Sequence, residues 1–395
     1  MQDITGRKKR ILLITPMLHQ GGFERICAMT ARLLCDVYEV HVVVFSSQDM
    51  FYDVSGVDLI DLQLGAVQGR LGKLVNIIKR VRCLHKLKKE LKIDVSYSFG
   101  TTANIANVLS KYKDKTWAGI RGYNAIQDSG MKMICKKADK VISCTRIMND
   151  DLCEIFGIRN SATLYNPCNL KEIDRMVKEE PPKAYQDFLN KSGKLIVSMG
   201  REDDLKGFWH LLKSFSVLKQ ELTDAGLIII GDGEYAEYKK LARELKIEES
   251  VLFTGVQKNP FSILARADVY ALTSESEGFP NALVEAMACG LPCVSVNCKT
   301  GPAEILEDAY AKCADQNQFY QAEYGILTPV FTGAKNMNPD EISVEEKNYA
   351  SCLLELLQDD KAMEKYHKKS LERALCFGME RYVRNIEQLI EGKSE

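Results

Sequence analysis

The stretch VYALTSESEGFPNALVEAMACGLPCVSV, Val269–Val296, decides how the rest of the chain is read. Val269 to Leu272 is a short bulky run that reads as a buried strand, and Thr273 to Pro280 is polar and turn-rich. Asn281 to Ala288 then reads as a helix capped by Asn281 and stopped by Gly290, with a second strand over Pro292 to Val296. Strand, loop, helix and strand in this order form a βαβ unit, which pairs its strands in parallel. The loop leaves the carboxyl end of its strand, where open parallel sheets place their ligands. Glu277 therefore falls on the rim of a ligand site and Glu285 one helical turn inside it. A carboxylate there needs donors such as a pair of vicinal hydroxyls, while the N–H groups of Asn281, Ala282 and Leu283 offer partial positive charge to an anion. A local cap or ion pair for Glu285 is the plain alternative.

The same alternation extends outward in both directions. Strands are expected at Arg10 to Thr15, Glu39 to Phe45, Asp94 to Phe99, Trp117 to Ile120 and Lys140 to Cys144 in the first half. In the second half they are expected at Leu195 to Met199, Leu227 to Ile230, Val251 to Phe253, Val269 to Leu272, Pro292 to Val296 and Gly325 to Thr328. The fold class is α/β, two Rossmann-like doubly wound parallel-sheet domains facing a cleft. Residues 167 to 193 are polar, carry Pro181-Pro182 and end in Ser-Gly, which puts the boundary near 180. The domains are then 1–180 and 181–375, with a terminal helix over 376–395 that packs back on the first. The segment Ala311 to Asn338 is longer and more polar than a turn requires.

Bulk properties narrow the function classes. The 395 residues are 46% hydrophobic and 27% charged, a folded composition too long for one core. No apolar run reaches membrane-spanning length and the five apolar residues after Arg10 are too few for a signal sequence, so a cytoplasmic location is expected. Thirteen cysteines without a paired C-x-x-C, the cluster Cys289, Cys293 and Cys298 included, fit free buried thiols in a reducing compartment. Residues 1 to 170 hold 25 Lys and Arg against 16 Asp and Glu, whereas the remainder holds 28 against 38, so the first half faces something anionic. The basic surplus lacks interleaved aromatics, which argues against nucleic acid.

Three further loops follow predicted strands. Gly200-Arg201-Glu202-Asp203-Asp204-Leu205-Lys206-Gly207 brings two cations, Arg201 and Lys206, to a strand-to-helix loop where they can neutralise a diphosphate, although it lacks the Gly-Lys-Ser/Thr ending of a Walker loop. Pro16 to Arg25 carries His19 and the adjacent Gly21 and Gly22 at a helix start, which lets backbone approach an anion. It is not the G-x-G-x-x-G fingerprint and no acidic residue closes the next strand, which argues against hydride transfer. Gly231-Asp232-Gly233-Glu234 is a tight turn with a structural role. Glu275-Ser276-Glu277 imitates the spacing of a metal-binding D-x-D motif but stands before a second-half helix, and no metal is expected.

Taken together, GGFER (21–25), ADKVISCT (138–145), LYNPCNL (164–170), GREDDLKGFWHLL (200–212), IIIGDGEY (228–235), VLFTGVQKNP (251–260), ESEGFPNALVEAMACGLPCVS (275–295) and GPAEIL (301–306) resemble glycosyltransferase family 4, of the bacterial surface-polysaccharide type. That resemblance implies a GT-B fold and retaining transfer of a hexose or N-acetylhexosamine from a nucleotide diphosphate sugar, most simply UDP-linked, to a glycan or lipid-linked acceptor. It implies that Glu285 binds the ribose, and that Glu277 with the backbone from Gly278 through Phe279, Pro280, Asn281 and Ala282 to Leu283 holds the sugar and phosphates. Arg201 and Lys206 stabilise the leaving diphosphate, making Arg201, Lys206 and Glu277 the catalytic set. The loop Thr254 to Lys258, with Val256, edges the base. His19, Gly21, Gly22 and Arg121 contact the acceptor, Gly22 also reaching the donor phosphate; Arg121 stands where the family often has a histidine. No cofactor or metal is implied. A nucleotide-sugar epimerase and a non-catalytic nucleotide-sugar-binding protein are the rival readings.

Finally, LGKLVNIIKRVRCLHKLKKELK, 71–92, sets Leu71, Leu74, Val75, Ile78 and Val81 at helical spacing among eight cations, with Glu90 the sole acid. Such a basic amphipathic helix lies against anionic lipid or packs its stripe on the first sheet, and both readings are open.

Overall fold

The computed structural model describes residues 7 to 392 except 314 and 316. Two compact units account for it: the first runs to Pro167 and takes in the chain again from Met379, and the second is Cys168–Gly378.

The first unit holds β1 (Arg10–Thr15), β2 (Glu39–Val44), β3 (Asp58–Asp61), β4 (Val95–Phe99), β5 (Lys115–Ile120), β6 (Lys140–Ser143) and β7 (Ser161–Thr163). They form one sheet in the order β3-β2-β1-β4-β5-β6-β7, parallel throughout. Runs such as RILLIT and EVHVVV are almost wholly buried, as strands covered on both faces must be. One face packs Ile26, Ala31 and Leu34 of the helix Gly22–Leu34 with Tyr382, Ile386 and Ile390 of the helix Met379–Glu391. Tyr382 and Thr30 join those two helices by a 2.6 Å hydroxyl hydrogen bond. The other face packs Leu84 and Val81 of the helix Arg70–Glu90. That helix is turned contrary to the simplest packing expectation: Asn76, Arg80, Leu84 and Lys88 face inward, while Leu71, Leu74, Val75 and Ile78 are exposed.

The second unit repeats the plan with β8 (Lys194–Met199), β9 (Ala225–Ile230), β10 (Val251–Gly255), β11 (Val269–Leu272), β12 (Cys293–Val296), β13 (Tyr320–Gln321) and β14 (Ile326–Thr328). Its order is β10-β9-β8-β11-β12-β14-β13, with only β13 antiparallel. Trp209, Phe215, Tyr238 and Tyr349 dominate its core. Residues 168 to 193, read from composition as a crossing, lie in this unit and form two surface helices, Leu170–Met176 and Lys183–Lys191. Asn169 caps the first of them by accepting from Glu172 N–H at 3.3 Å.

Among the described residues no helix is long and apolar enough to cross a membrane.

Candidate functional site

In a doubly wound sheet, ligands collect where the strand order reverses direction. In the second unit that point lies between β8 and β11, which are neighbours despite their separation in sequence. The loops leaving their carboxyl ends are Gly200 to Gly207 and Thr273 to Pro280, the two segments singled out by sequence for cations and carboxylates.

These loops are locked together. Leu205 O accepts from Glu275 N–H at 2.9 Å, and Lys206 O accepts from the Thr273 hydroxyl at 3.0 Å. Asp203 caps a single 3-10 turn, Asp204–Lys206, by accepting from Leu205 N–H. Gly207 closes the turn at φ +60°, and a methyl group there would stand 2.3 Å from Thr273 O. Glycine is required on both counts. The turn delivers Lys206 Nζ to 2.7 Å from Glu277 Oε1, a part-buried pair across the two loops. Beneath it, Gly200 and Gly231 approach so closely that a methyl on Gly231 would overlap Gly200 O, which explains the glycine turn after β9.

The helix Asn281–Ala288 begins directly beyond Glu277. Its N-cap is Pro280, and Asn281 is the first helical residue with no capping side chain, which corrects the expected Asn281 cap. The ring at Pro280 fixes φ at −73° and the chain turns into the helix one residue earlier than capping preference alone suggests. Leu283 N–H is already given to Pro280 O at 3.0 Å, so it is not available to an anion as expected. No hydrogen-bond partner is found for Ala282 N–H among the described residues. Phe279 and Pro280 are buried: the Phe279 ring meets Phe377 edge-on at 5.4 Å, and Pro280 packs on Gly301, which has φ +100°. These two residues shape the turn, leaving Gly278, Asn281 and Ala282 half-exposed along it. Glu285 is buried one turn into the helix. Tyr270 of β11 reports both carboxylates: burial pushes its phenol well above the usual range, and Glu277 and Glu285 add to that push.

The other expected residues take separate places. Arg201 is exposed and gives its Nη2 and Nε to Asp203 Oδ2 at 2.8 and 3.2 Å, on the same loop as Lys206 but not on Glu277. Val256 is exposed just past β10, in a loop held by Gln257, whose amide donates to Thr254 O at 2.7 Å and to the Tyr185 hydroxyl at 3.1 Å. In the first unit the corresponding reversal lies between β1 and β4, and the loop after β1 carries His19, Gly21 and Gly22. His19 Nε2 donates to Gln48 O at 3.0 Å. Gly22 is open, while Gly21 has the Glu24 carboxylate in the space a methyl would need. Arg121 is turned into its own unit: Nη1 donates to Leu164 O at 3.1 Å and Asn166 Oδ1 at 2.8 Å, Nη2 to the Tyr97 hydroxyl, and its plane lies over Tyr97 and Phe99. Both carboxylates of the E-S-E triplet have protein partners of their own, Glu277 on Lys206 and Glu275 facing His210, rather than converging on a common point.

Three contributors were not legible from motifs. His210, in the first turn of the helix Phe208–Glu221, donates Nδ1–H to Glu346 Oε1 at 2.7 Å and turns Nε2 toward Glu275 Oε1 at 3.9 Å. Thr300 donates its hydroxyl to Glu277 O, pinning the carboxylate-bearing turn from below. The polar segment after β14 is a strap: Phe331 stacks on His210 at 4.0 Å, and Lys335 bridges Asp204 and Glu237 at 2.8 Å each. The length and polarity of that segment were the signal, but the partners of Lys335 lie 98 and 131 residues away in sequence.

Gly207 offers a direct check. Gly207→Ala must leave a left-handed conformation or push Thr273 away, at a cost of roughly 1–3 kcal/mol. A lower melting temperature is expected together with loss of most nucleotide-induced stabilisation. A variant that melts and responds like wild type would contradict the locked-loop geometry.

Comparison with known proteins identifies what the chain is similar to. The family model described as glycosyl transferases group 1 matches residues 182–322, spanning both loops. An uncharacterized glycosyltransferase of Methanocaldococcus jannaschii is 29% identical over 343 residues, 80% of this chain and 84% of that protein. The N-acetylgalactosamine-N,N'-diacetylbacillosaminyl-diphospho-undecaprenol 4-alpha-N-acetylgalactosaminyltransferase of Campylobacter jejuni is 26% identical over 95% of this chain and 97% of its own length. Among solved structures, the Anabaena Alr3699/HepE protein in complex with UDP-glucose superposes with a TM-score of 0.74 over 97% of this chain and 99% of that one. At 18% identity, that likeness is one of fold.

Proposed function

We propose that this chain, a glycosyltransferase of the GT-B fold, is a retaining enzyme of glycosyltransferase family 4 that moves a hexose or N-acetylhexosamine from a UDP-linked donor to a glycan or lipid-linked acceptor. The observation that carries the reading is the 2.7 Å contact of Lys206 Nζ with Glu277 Oε1 at the strand-order reversal, with the buried Glu285 one turn into the helix that follows. A cation, a helix start and a buried carboxylate in sequence along one sheet edge match a diphosphate followed by a ribose.

In this reading Lys206 takes the leaving diphosphate, Arg201 joins it by exchanging Asp203 for phosphate oxygen, and Ala282 N–H lies on the same anion. Glu285 accepts hydrogen bonds from the ribose hydroxyls, and the loop with Val256 edges the base. The glycosidic C–O bond to the diphosphate breaks as the acceptor oxygen bonds to the same face of the sugar, and the acceptor proton passes to a departing phosphate oxygen. Charge grows on that oxygen in the transition state, so a fixed ammonium stabilises it more than the ground state. No metal is needed where Lys206 and Arg201 supply that positive charge. The acceptor is assigned to the strand ends of the first unit that carry His19, Gly21 and Gly22. Arg121, with its guanidinium spent on Tyr97, Leu164 and Asn166, supports that region from within.

Calorimetric titration with UDP, GDP and ADP, followed by donor turnover, tests the reading. UDP is expected to bind most tightly. Glu285→Ala removes at least one charged hydrogen bond to the ribose, worth about 1.5–3 kcal/mol, so UDP affinity should drop at least about 10- to 100-fold. An unchanged affinity would remove Glu285 from the site.

A further inference from the structure

We propose that the outward face of the helix Arg70–Glu90 is a docking surface for an anionic lipid bilayer, an inference that stands independently of the donor chemistry.

The rotation of this helix about its axis is fixed from the inside by polar anchors. Asn76 Nδ2 donates to Gly65 O at 2.7 Å, and Arg80 donates Nη2 and Nε to Leu64 O at 2.6 and 2.9 Å while its guanidinium lies 4.2 Å over the Phe45 ring. Lys88, two turns further, is fully buried with its ammonium 3.1 Å from Asp114 and from Asn107 O. Asn76, Arg80, Leu84 and Lys88 recur every four residues, so they share one face, and rolling the helix would strand three polar groups away from their partners.

This anchoring forces the apolar residues of the first three turns outward. Leu71 is 81% exposed, Leu74 56%, Val75 50% and Ile78 43%, spaced at i, i+3, i+4 and i+7. Val67, also exposed, sits beside Gly72 and extends the patch. Four large apolar side chains on one helical stripe, facing water, form a contiguous patch of the kind that marks an interaction surface. Further along the same face the stripe changes character, becoming Arg82, Lys86 and Lys89, with Lys79 on its flank; all are exposed. The sole acid of the helix is Glu90, engaged with Lys86.

Charge complementarity selects the occupant. A second copy of this chain seated on the same face would bring at least four cations against four, with Glu90 the sole acid of the helix to offset them. A bilayer rich in anionic headgroups supplies the opposite charge and an apolar layer together, and a helix with an apolar stripe flanked by Lys and Arg lies in that interface. The patch is too narrow for a spanning segment and suits shallow, reversible insertion of four side chains.

Flotation of the full-length protein with sized vesicles tests this. Phosphatidylcholine vesicles containing about 30 mol% phosphatidylglycerol should carry the protein upward at about 50 mM salt, pure phosphatidylcholine vesicles should not, and about 500 mM salt should release it. Replacing Lys79, Arg82 and Lys86 together by Gln should weaken binding about 100-fold, since each cation near the surface contributes roughly five-fold. Replacing Leu71, Leu74 and Ile78 together by Gln should weaken it at least about 10-fold at unchanged net charge. All these side chains are exposed and belong to the first unit, whereas the donor loops belong to the second, so melting temperature and UDP affinity should match wild type in both variants. Failure of the wild type to float with anionic vesicles at low salt overturns the proposal. So does wild-type flotation of the Leu71/Leu74/Ile78 variant, or a concentration-dependent dimer that this variant abolishes, which would assign the face to self-association.

Discussion

Lys206→Ala is expected to lower kcat/KM for sugar transfer by about 10²- to 10³-fold, mostly through kcat, because it removes the fixed cation facing a charge that grows in the transition state. Lys206 is pre-positioned by the capped turn before it, by Gly207 behind it and by Glu277 across the site. Stability should change little, since one part-exposed ion pair contributes less than about 1 kcal/mol. Glu277→Gln should weaken transfer as well, and the double variant should fall no further than Lys206→Ala alone if the two act as a unit. Multiplicative losses in steady-state kinetics would show that the pair is not a unit.

The largest effect on stability is expected from the first unit. Lys88 and Asp114 are fully buried as an ion pair, and Asp114 also accepts from Ser96 at 2.6 Å and Thr116 at 2.8 Å. Burial pushes the Lys88 ammonium down to about 8 against the pull of Asp114. Burial also pushes the Asp114 carboxyl up, yet Lys88, Ser96 and the Tyr112 N–H hold it below the usual range. Asp114→Asn keeps the shape and leaves a buried, unpaired ammonium, at a cost of about 3–5 kcal/mol near pH 7. The sign of the pH response follows from the lysine. Its folded pKa is below the unfolded value and, without the pull of Asp114, falls below about 8, so the folded variant sheds the proton first and its loss relative to wild type fades as pH rises toward about 8. The variant should therefore recover part of its loss between pH 7 and pH 9 in urea unfolding. A loss that stays constant across that window would contradict the buried-charge account.

Much of this architecture is legible because its strands are bulky continuous runs. Val269–Leu272 and Arg10–Thr15 match the expected bounds, and the other long strands differ by one or two residues. The strands that escape reading, Asp58–Asp61, Ser161–Thr163 and Tyr320–Gln321, are short edge strands with half-exposed side chains, where burial imposes no apolar run. In the candidate site, Lys206 and Glu277 are visible because a cation and a carboxylate stand at the ends of strands. Their direct contact is not visible, since it depends on β8 and β11 being neighbours. Arg121 marks the opposite limit. The family resemblance suggested an acceptor contact, but the hydroxyl of Tyr97, which pairs with Trp117 from the neighbouring β4, and the Asn166 amide oxygen draw the guanidinium inward. The Arg70–Glu90 helix left two readings open in sequence, because the bonds by which Asn76 and Arg80 set which face turns in are not visible there.

The grip on the diphosphate is tested most directly by calorimetric titration of UDP and uridine into the wild type and Lys206→Ala. The account predicts that the wild type prefers UDP over uridine by about 100-fold or more, that Lys206→Ala shrinks the preference at least about 10-fold, and that uridine affinity is unchanged. An identical UDP-to-uridine ratio in the two proteins would contradict it.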